Sequence, residues 1–348
     1  MSFDFNAEFN FRIFTIIINN QKEMTIKANN PALKSWVEVP QNSDFPIQNL
    51  PFGIFKHNGN SPRVGVAIGD KVLDLKALHS LGYLTRLQFT IEDFESNVLN
   101  TMMRHGKQGT RELRNRISDL LNADNDELQK NEHHCEQVLF AQNTVEMLLP
   151  MQIGDYTDFY SSEQHAYNVG CLFRDPNNAL MPNWKHIPVG YHGRSSSIVP
   201  SGVDFHRPKG QMKPPTAEVP VFGPSKLLDF ELETAFFTYE GKPLGQSIST
   251  EEADDYIFGM TLLNDWSARD IQGWEYVPLG PFLGKNFASH ISSWVVTLDA
   301  LEPFRTAGPV QDPKVLSYLE YTGDKHVAIN LEVLIQPEGG EETSVSKS

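Results

Sequence analysis

The sequence predicts a mixed, β-rich α+β fold built in two units. Three observations predict it. Residues 63–75 carry a hairpin pattern, residues 86–131 have helical spacing, and from residue 151 short apolar runs alternate with Gly/Pro turns. At 348 residues the chain is long enough for two domains and a sizeable core.

Residues 1–42 are rich in Asn and Phe and show no clear period, so they read as a disordered extension with one strand at 11–18. Met24 could serve as an alternative start. Order is expected to begin near Asp44, and the first unit then runs over 43–150. Its hairpin is two alternating strands, Arg63 to Ile68 and Lys71 to Leu75, joined by Gly69-Asp70. Thr110 to Leu121 places Leu113, Ile117, Leu120 and Leu121 at helical spacing. The polar run 122–134 reads as a solvated helix end or linker, and Leu149-Pro150 marks the boundary. The second unit, 151–348, holds turns such as Pro200-Ser201-Gly202 and Leu279-Gly280-Pro281. An apparent strand at 329–335 meets the turn 336–342. Only Thr343 to Ser348 remain for its hairpin partner, so the fold is expected to be interrupted.

Composition excludes several classes. Lys and Arg number 29 against 44 Asp and Glu, a net charge of −15, which repels phosphate backbones and argues against nucleic acid. The surplus carboxylates either solvate the surface or include a few that hold a hard cation. Cys135 and Cys171 form neither a Cys-x-x-Cys pair nor a disulfide framework, so a reducing compartment fits. No apolar run approaches a membrane span, and the early residues lack a signal-peptide pattern. The final Ser346-Lys347-Ser348 matches the peroxisomal address only in part, so the cytoplasm is the default.

Four segments could carry chemistry. In Asp229 to Phe237 charged and apolar residues alternate, so as a strand Glu231 and Glu233 share a face. Such close like charges need either water or a cation. The apolar run Ile257 to Leu263 ends in Asn264-Asp265, where Asp265 serves as a ligand or, with Ser267, as a helix cap. Asp158 and His165 lie seven residues apart, about two turns of one helix, and His165 is either structural or a general base. Together Asp158, Glu231, Glu233 and Asp265 offer oxygen only, which selects Ca2+ or Mg2+. Arg269, Gln272 and Tyr276 fall on one helical face and, with Lys285, could hold an anion or a developing oxyanion. An ordinary amphipathic surface helix is the alternative.

Five stretches resemble the fumarylacetoacetase family. They are Ser43 to Pro51, Asp155 to Ser162 (Asp-Tyr-Thr-Asp-Phe-Tyr-Ser-Ser), Asn183 to Arg194, Leu228 to Glu233 (Leu-Asp-Phe-Glu-Leu-Glu) and Asn264 to Lys285. The last is long and specific. The resemblance spans residues 43 to about 340. It implies a small SH3-like barrel followed by a mixed β-roll domain, assembled as a homodimer. It implies Ca2+ at Asp158, Glu231, Glu233 and Asp265, and Mg2+ around Asp265, Lys285 and Ser289, where Ser289 replaces an expected Thr. His165 matches the general base. Tyr160, Arg174, Tyr191, Gln272 and Tyr276 match positions that contact substrate, and Arg269, Gln272 and Lys285 match groups that steady developing charge. The implied reaction is metal-dependent hydrolysis of a small β-diketo acid, 4-fumarylacetoacetate, to fumarate and acetoacetate, the last step of tyrosine breakdown. A related acylpyruvate hydrolase is the second enzyme reading.

The family pattern continues past Ser348 with further strands, a Thr-Ile-Ser-Gly segment and a glutamate that orients the histidine. No residue here matches those, so the catalytic domain is expected to lack its C-terminal part. The chain is expected to be unstable or weakly active alone, or to act only as an inactive dimerisation partner.

Overall fold

The computed structural model describes residues 26–348. The strand expected at 11–18 and the candidate start Met24 lie outside the described residues. In the first unit β1 (Phe52–His57), β2 (Arg63–Ile68) and β3 (Lys71–Asp74) lead into α1 (Leu75–Ser80), α2 (Ile91–Phe94) and α3 (Asn100–Met103). The long α4 (Gly106–Leu121) and the short α5 (Asp126–Gln129) and α6 (Glu132–Val138) follow, then β4 (Leu139–Ala141) and β5 (Val145–Leu148). The strands form one antiparallel sheet, order β4-β3-β2-β1-β5.

The expected hairpin is β2–β3, turning at Gly69-Asp70 with Ile68 opposite Lys71. Gly69 has φ +56°, a conformation open to glycine at little cost. Every residue of β2 is buried, Arg63 through its pair with Asp74 and the rest as a run of apolar and glycine residues. In α4, Leu113, Ile117, Leu120 and Leu121 are fully buried in one cluster with residues of this sheet, as their spacing predicts. Arg114 is buried with them and donates to the carbonyls of Asn49 and Gln48. Desolvation lowers its pKa to about 10, which still leaves it charged at neutral pH. The expected linker 122–134 is in part ordered helix, capped by Asn125 and Asn131.

Residues 26–42 correct the expected extension. A 3-10 turn at Lys27–Asn29 and the chain after it strap across α4, with Ile26, Ala28 and Val37 buried. Trp36 donates its indole N–H to the Leu120 carbonyl at 2.9 Å, and Ala28 N–H reaches Asn115 Oδ1 at 3.1 Å. An irregular strap buries single residues without a period, so no pattern announces it.

The second unit opens with β6 (Thr157–Phe159), α7 (Glu163–Phe173), β7 (Gly190–His192), β8 (Ile198–Pro200), β9 (Lys209–Met212), β10 (Val221–Pro224) and β11 (Leu228–Asp229). Then come β12 (Leu232–Thr238), β13 (Ile257–Asp265), β14 (Ser267–Ala268), α8 (Arg269–Glu275), β15 (Ser289–Ile291), β16 (Val296–Thr297) and α9 (Leu298–Leu301). The central sheet has the order β12-β13-β15-β8, with β16 also on β13. Its β15–β8 pair is parallel and the others antiparallel. Beyond it, β17 (Arg305–Thr306) pairs with β18 (His326–Val327), and β19 (Glu332–Ile335) with β20 (Thr343–Lys347). The hairpin partner expected to be cut short is therefore present.

The units share one core. Phe52 exchanges both backbone hydrogen bonds with Val295, and Phe258, Tyr239 and Val295 join the cluster of Leu50, Phe52 and Ile54. Arg111 grips Asp299 through two bonds of 2.6 and 2.7 Å, and Thr110 meets the Tyr239 hydroxyl at 2.5 Å. Among the described residues no helix is long and apolar enough to cross a membrane.

A methyl group at Gly69 would overlap the carbonyl oxygen of Glu38 in the strap and would meet the positive φ. Gly69→Ala should cost about 1–3 kcal/mol, read as a lower urea midpoint at unchanged slope. An unaltered midpoint would mean that the strap does not seat on this turn.

Candidate active site

Three strands align the site. The register sets Asp265 opposite Ser289 across β13–β15, and Asp265 N–H donates to the Glu231 carbonyl at 3.0 Å. Residues opposite one another share a face, so Glu231, Asp265 and Ser289 form a lateral row. Glu233 lies two residues on, opposite Leu263, which packs with Ile198 and Ile291. One of the two glutamates therefore faces cations and the other faces an apolar cluster.

The loop after α8 inserts Lys285 between the row's carboxylates. Its Nζ donates to Glu231 Oε2 at 2.7 Å and Asp265 Oδ2 at 2.8 Å. Arg269 pairs with Glu231 at 2.6 Å and Asp229 at 2.9 Å, and gives its Nη1 to Gln272 Oε1 at 3.1 Å. Arg194 Nη2 bonds Asp265 Oδ1 at 2.9 Å, Ser289 Oγ at 3.0 Å and the Lys285 carbonyl. Ser289 Oγ also donates to Asp265 Oδ1 at 2.8 Å.

These pairings divide the carboxylates. Burial pushes Glu231 up, but Lys285 and Arg269 more than offset this and bring it down to about 2. Burial likewise pushes Lys285 down, and Asp265 and Glu231 reverse it to a net rise. Glu233 makes no ion pair among the described residues, and burial, then Asp158, Glu231 and Asp265, push it up to about 10. Burial and Asp265 push Asp158 up to about 6, against a bond from the Tyr156 hydroxyl at 3.3 Å. A buried carboxylate kept from ionising by its like-charged neighbours is what a hard cation relieves. Donor atoms of His165, Glu231 and Glu233 lie within 4.8 Å of one another. The residues fit a divalent cation.

His165 stands on the first turn of α7, where Ser162 caps its backbone N–H at 3.3 Å. Its Nε2 is buried without a hydrogen-bond partner, 3.8 Å from Glu231 Oε2. Burial lowers its pKa, so the imidazole is neutral at physiological pH. Tyr160 presents its ring at 5.7 Å. The shared helix expected for Asp158 and His165 is not formed, because Asp158 lies on β6 and a non-helical turn precedes α7. They border the same cluster from different elements.

Helix α8 carries Arg269 and Gln272 buried on one face, and Tyr276 follows as its C-cap against Phe173 at 5.2 Å. The capping reading of Asp265 and Ser267 falls, since the N-cap is Ala268 and Ser267 instead donates to Glu231 Oε1 at 3.3 Å. Tyr191 sits opposite Asp158 in the β6–β7 pair, its hydroxyl buried and unpartnered, and burial with Asp158 raises its pKa. Arg174 is not drawn into the cluster by any bond. It caps the far end of α7 and donates twice to the Ala179 carbonyl, at 3.0 and 2.6 Å. Arg194 is the residue missed by sequence reasoning. It closes the stretch Asn183 to Arg194, yet a lone Arg after Gly193 carries no spacing that names its partners.

Two family descriptions match the chain, Fumarylacetoacetase N-terminal over residues 48–150 and Fumarylacetoacetate (FAA) hydrolase C-terminal over 156–343. The fumarylacetoacetase of Caenorhabditis elegans is 54% identical over 311 residues, covering 88% of this chain and 74% of that protein. The Homo sapiens enzyme is 50% identical over 302 residues, covering 85% and 72%. The solved fumarylacetoacetate hydrolase from psychrophilic Exiguobacterium antarcticum gives a TM-score of 0.39 at 18% identity over 71% of this chain and 66% of that one, too weak to carry an argument. With both units matched and half of its residues shared along most of its length, the chain belongs to the fumarylacetoacetase family.

Proposed function

We propose that this protein hydrolyses the carbon–carbon bond of 4-fumarylacetoacetate to fumarate and acetoacetate, closing tyrosine and phenylalanine breakdown. The observation that carries the reading is a carboxylate cluster, its buried half (Glu231 and Asp265) paired with Lys285, Arg269 and Arg194 and its half-buried members Asp158 and Glu233 not, beside a neutral unpartnered His165. The close relatives carry the name fumarylacetoacetase.

Asp158, Glu231, Glu233 and Asp265 would hold a divalent cation, which would supply Lewis-acid polarisation of a substrate carbonyl. Oxygen donors favour Ca2+. For Mg2+ at Asp265, Lys285 and Ser289, the same oxygens already converge on Arg194 Nη2, and that guanidinium would have to yield.

His165 takes a proton from water through its free Nε2, and the hydroxide formed attacks the carbonyl. Electrons of the broken carbon–carbon bond pass to the leaving β-keto acid as an enolate. Arg269, Gln272 and Lys285 hold that charge until the proton taken up by His165 is returned to the carbon. Tyr160, Tyr191, Gln272 and Tyr276 line the substrate, and Arg174 meets a carboxylate with the Nη1 that Ala179 leaves unused. His165 acts as the base rather than as a ligand, because a hard cation prefers oxygen.

We further propose the SH3-like barrel and β-roll architecture, a 43–150 and 151–348 division, and a cytoplasmic homodimer. Phe222, Leu279 and Phe282 are each exposed and apolar, side chains that a second copy would cover.

Purified protein with Ca2+ and Mg2+ should consume the substrate's enol absorbance, and His165→Ala should lose about 10²- to 10⁴-fold in rate. The variant should keep the Ca2+-induced rise in melting temperature. Loss of that rise would make His165 a ligand, and no turnover by folded wild type would remove the enzyme reading for this chain.

Glu233 gives a second test with an explicit sign. Its folded value of about 10 lies above the ordinary 4.5, so the protonated form's stability is present at low pH and lost as pH rises toward 10. Glu233→Gln removes that loss. At pH 7.5 in chelator it should melt higher than wild type and gain less from Ca2+. A lower melting point in chelator would show that the carboxylate is not strained.

A further inference from the structure

We infer that Glu275 is a positioning residue that clamps the 276–284 loop and thereby sets where Lys285 stands; the catalytic consequence rests on the function proposed above. Glu275 is the last residue of α8, and one oxygen, Oε1, accepts both the Phe282 N–H at 3.0 Å and the Gly284 N–H at 2.7 Å. The loop leaves the C-terminus of α8 and returns to its N-terminal end, where the Gly284 carbonyl accepts the Ala268 N–H at 2.8 Å.

The fit is tight at the return. A Cβ on Gly284 would lie 2.8 Å from the Gln272 backbone nitrogen, so the loop lies flat on α8 at the residue before Lys285. The next side chain enters the site, with Nζ at 2.7 and 2.8 Å from Glu231 and Asp265.

Within the single chain the rest of the loop has little to hold it. Val277, Leu279 and Phe282 are exposed at 67%, 95% and 67%, so apolar packing within the described chain does not fix its path. Apart from the Gly284–Ala268 bond, its other hydrogen bonds are short-range, Gly280 N–H to the Tyr276 carbonyl and Lys285 N–H to the Phe282 carbonyl. The Glu275 carboxylate is the side chain that ties the loop's far limb to the helix. It touches no reacting group of the proposed chemistry.

An amide oxygen can accept the same two N–H groups, so Glu275→Gln should keep the clamp and Glu275→Ala should release it. Two readouts are independent of turnover. Hydrogen exchange over 277–284 and reductive methylation of Lys285 should each speed up at least about tenfold in Glu275→Ala and stay near wild type in Glu275→Gln. The third readout is kinetic, a fall in kcat of about 10- to 100-fold at a KM within about twofold, in the alanine variant alone.

Unchanged exchange and methylation in Glu275→Ala would overturn the clamp. So would equal damage in both variants, which would assign the effect to charge. Wild type that fails to turn over would count against the proposed function, while the exchange and methylation results would still decide the clamp.

Discussion

The site depends on one ammonium group placed between two buried carboxylates. Lys285 is 3% exposed, and Asp265 and Glu231 are 0% and 6% exposed. A lone charge at that depth would be expensive, and each of the three is tolerable because the others are present. Arg269 and Arg194 extend the same compensation to the outer oxygens of Glu231 and Asp265. The balance stops short of Glu233 and Asp158, whose carboxyls burial and like-charged neighbours hold above the ordinary range. Stability and chemistry here draw on the same few charges.

Much of this was legible in the sequence where a period existed. The β2–β3 hairpin and the buried face of α4 appear where alternation and helical spacing placed them. Asp265 does lie at the end of its strand, and the alternation in Asp229 to Phe237 does put Glu231 and Glu233 on one side, His165 facing both. The difference between those two glutamates was not legible. It comes from partners on other elements, Leu263 across the sheet for one and the Lys285 and Arg269 cations from the loop and helix α8 for the other, which are far away in sequence.

Aperiodic segments were the losses. The strap at 26–42 buries isolated residues, and its bonds run to α4 some 85 positions away, such as Trp36 to Leu120 with a separation of 84. The separation of Asp158 and His165 invited a shared helix, but Ser162 is an N-cap and starts the helix between them. That serine was visible, three residues before His165, and is the local signal that could have corrected the reading. The β19–β20 hairpin shows the converse, since five residues sufficed as the partner of a short strand.

The bridge between Phe52 and Val295 has a consequence for how damage spreads. No proposed catalytic residue lies before Asp158, yet Val295 follows β15, the strand that carries Ser289. A lesion in the first unit's core can thus loosen the catalytic sheet without touching it. In a cell such a variant would be met by the quality-control machinery before its chemistry was ever called on, and its deficit would show as scarcity of the protein. For this architecture the amount of protein and the activity per molecule are separate measurements, and inherited variation in the first unit should be read chiefly in the former.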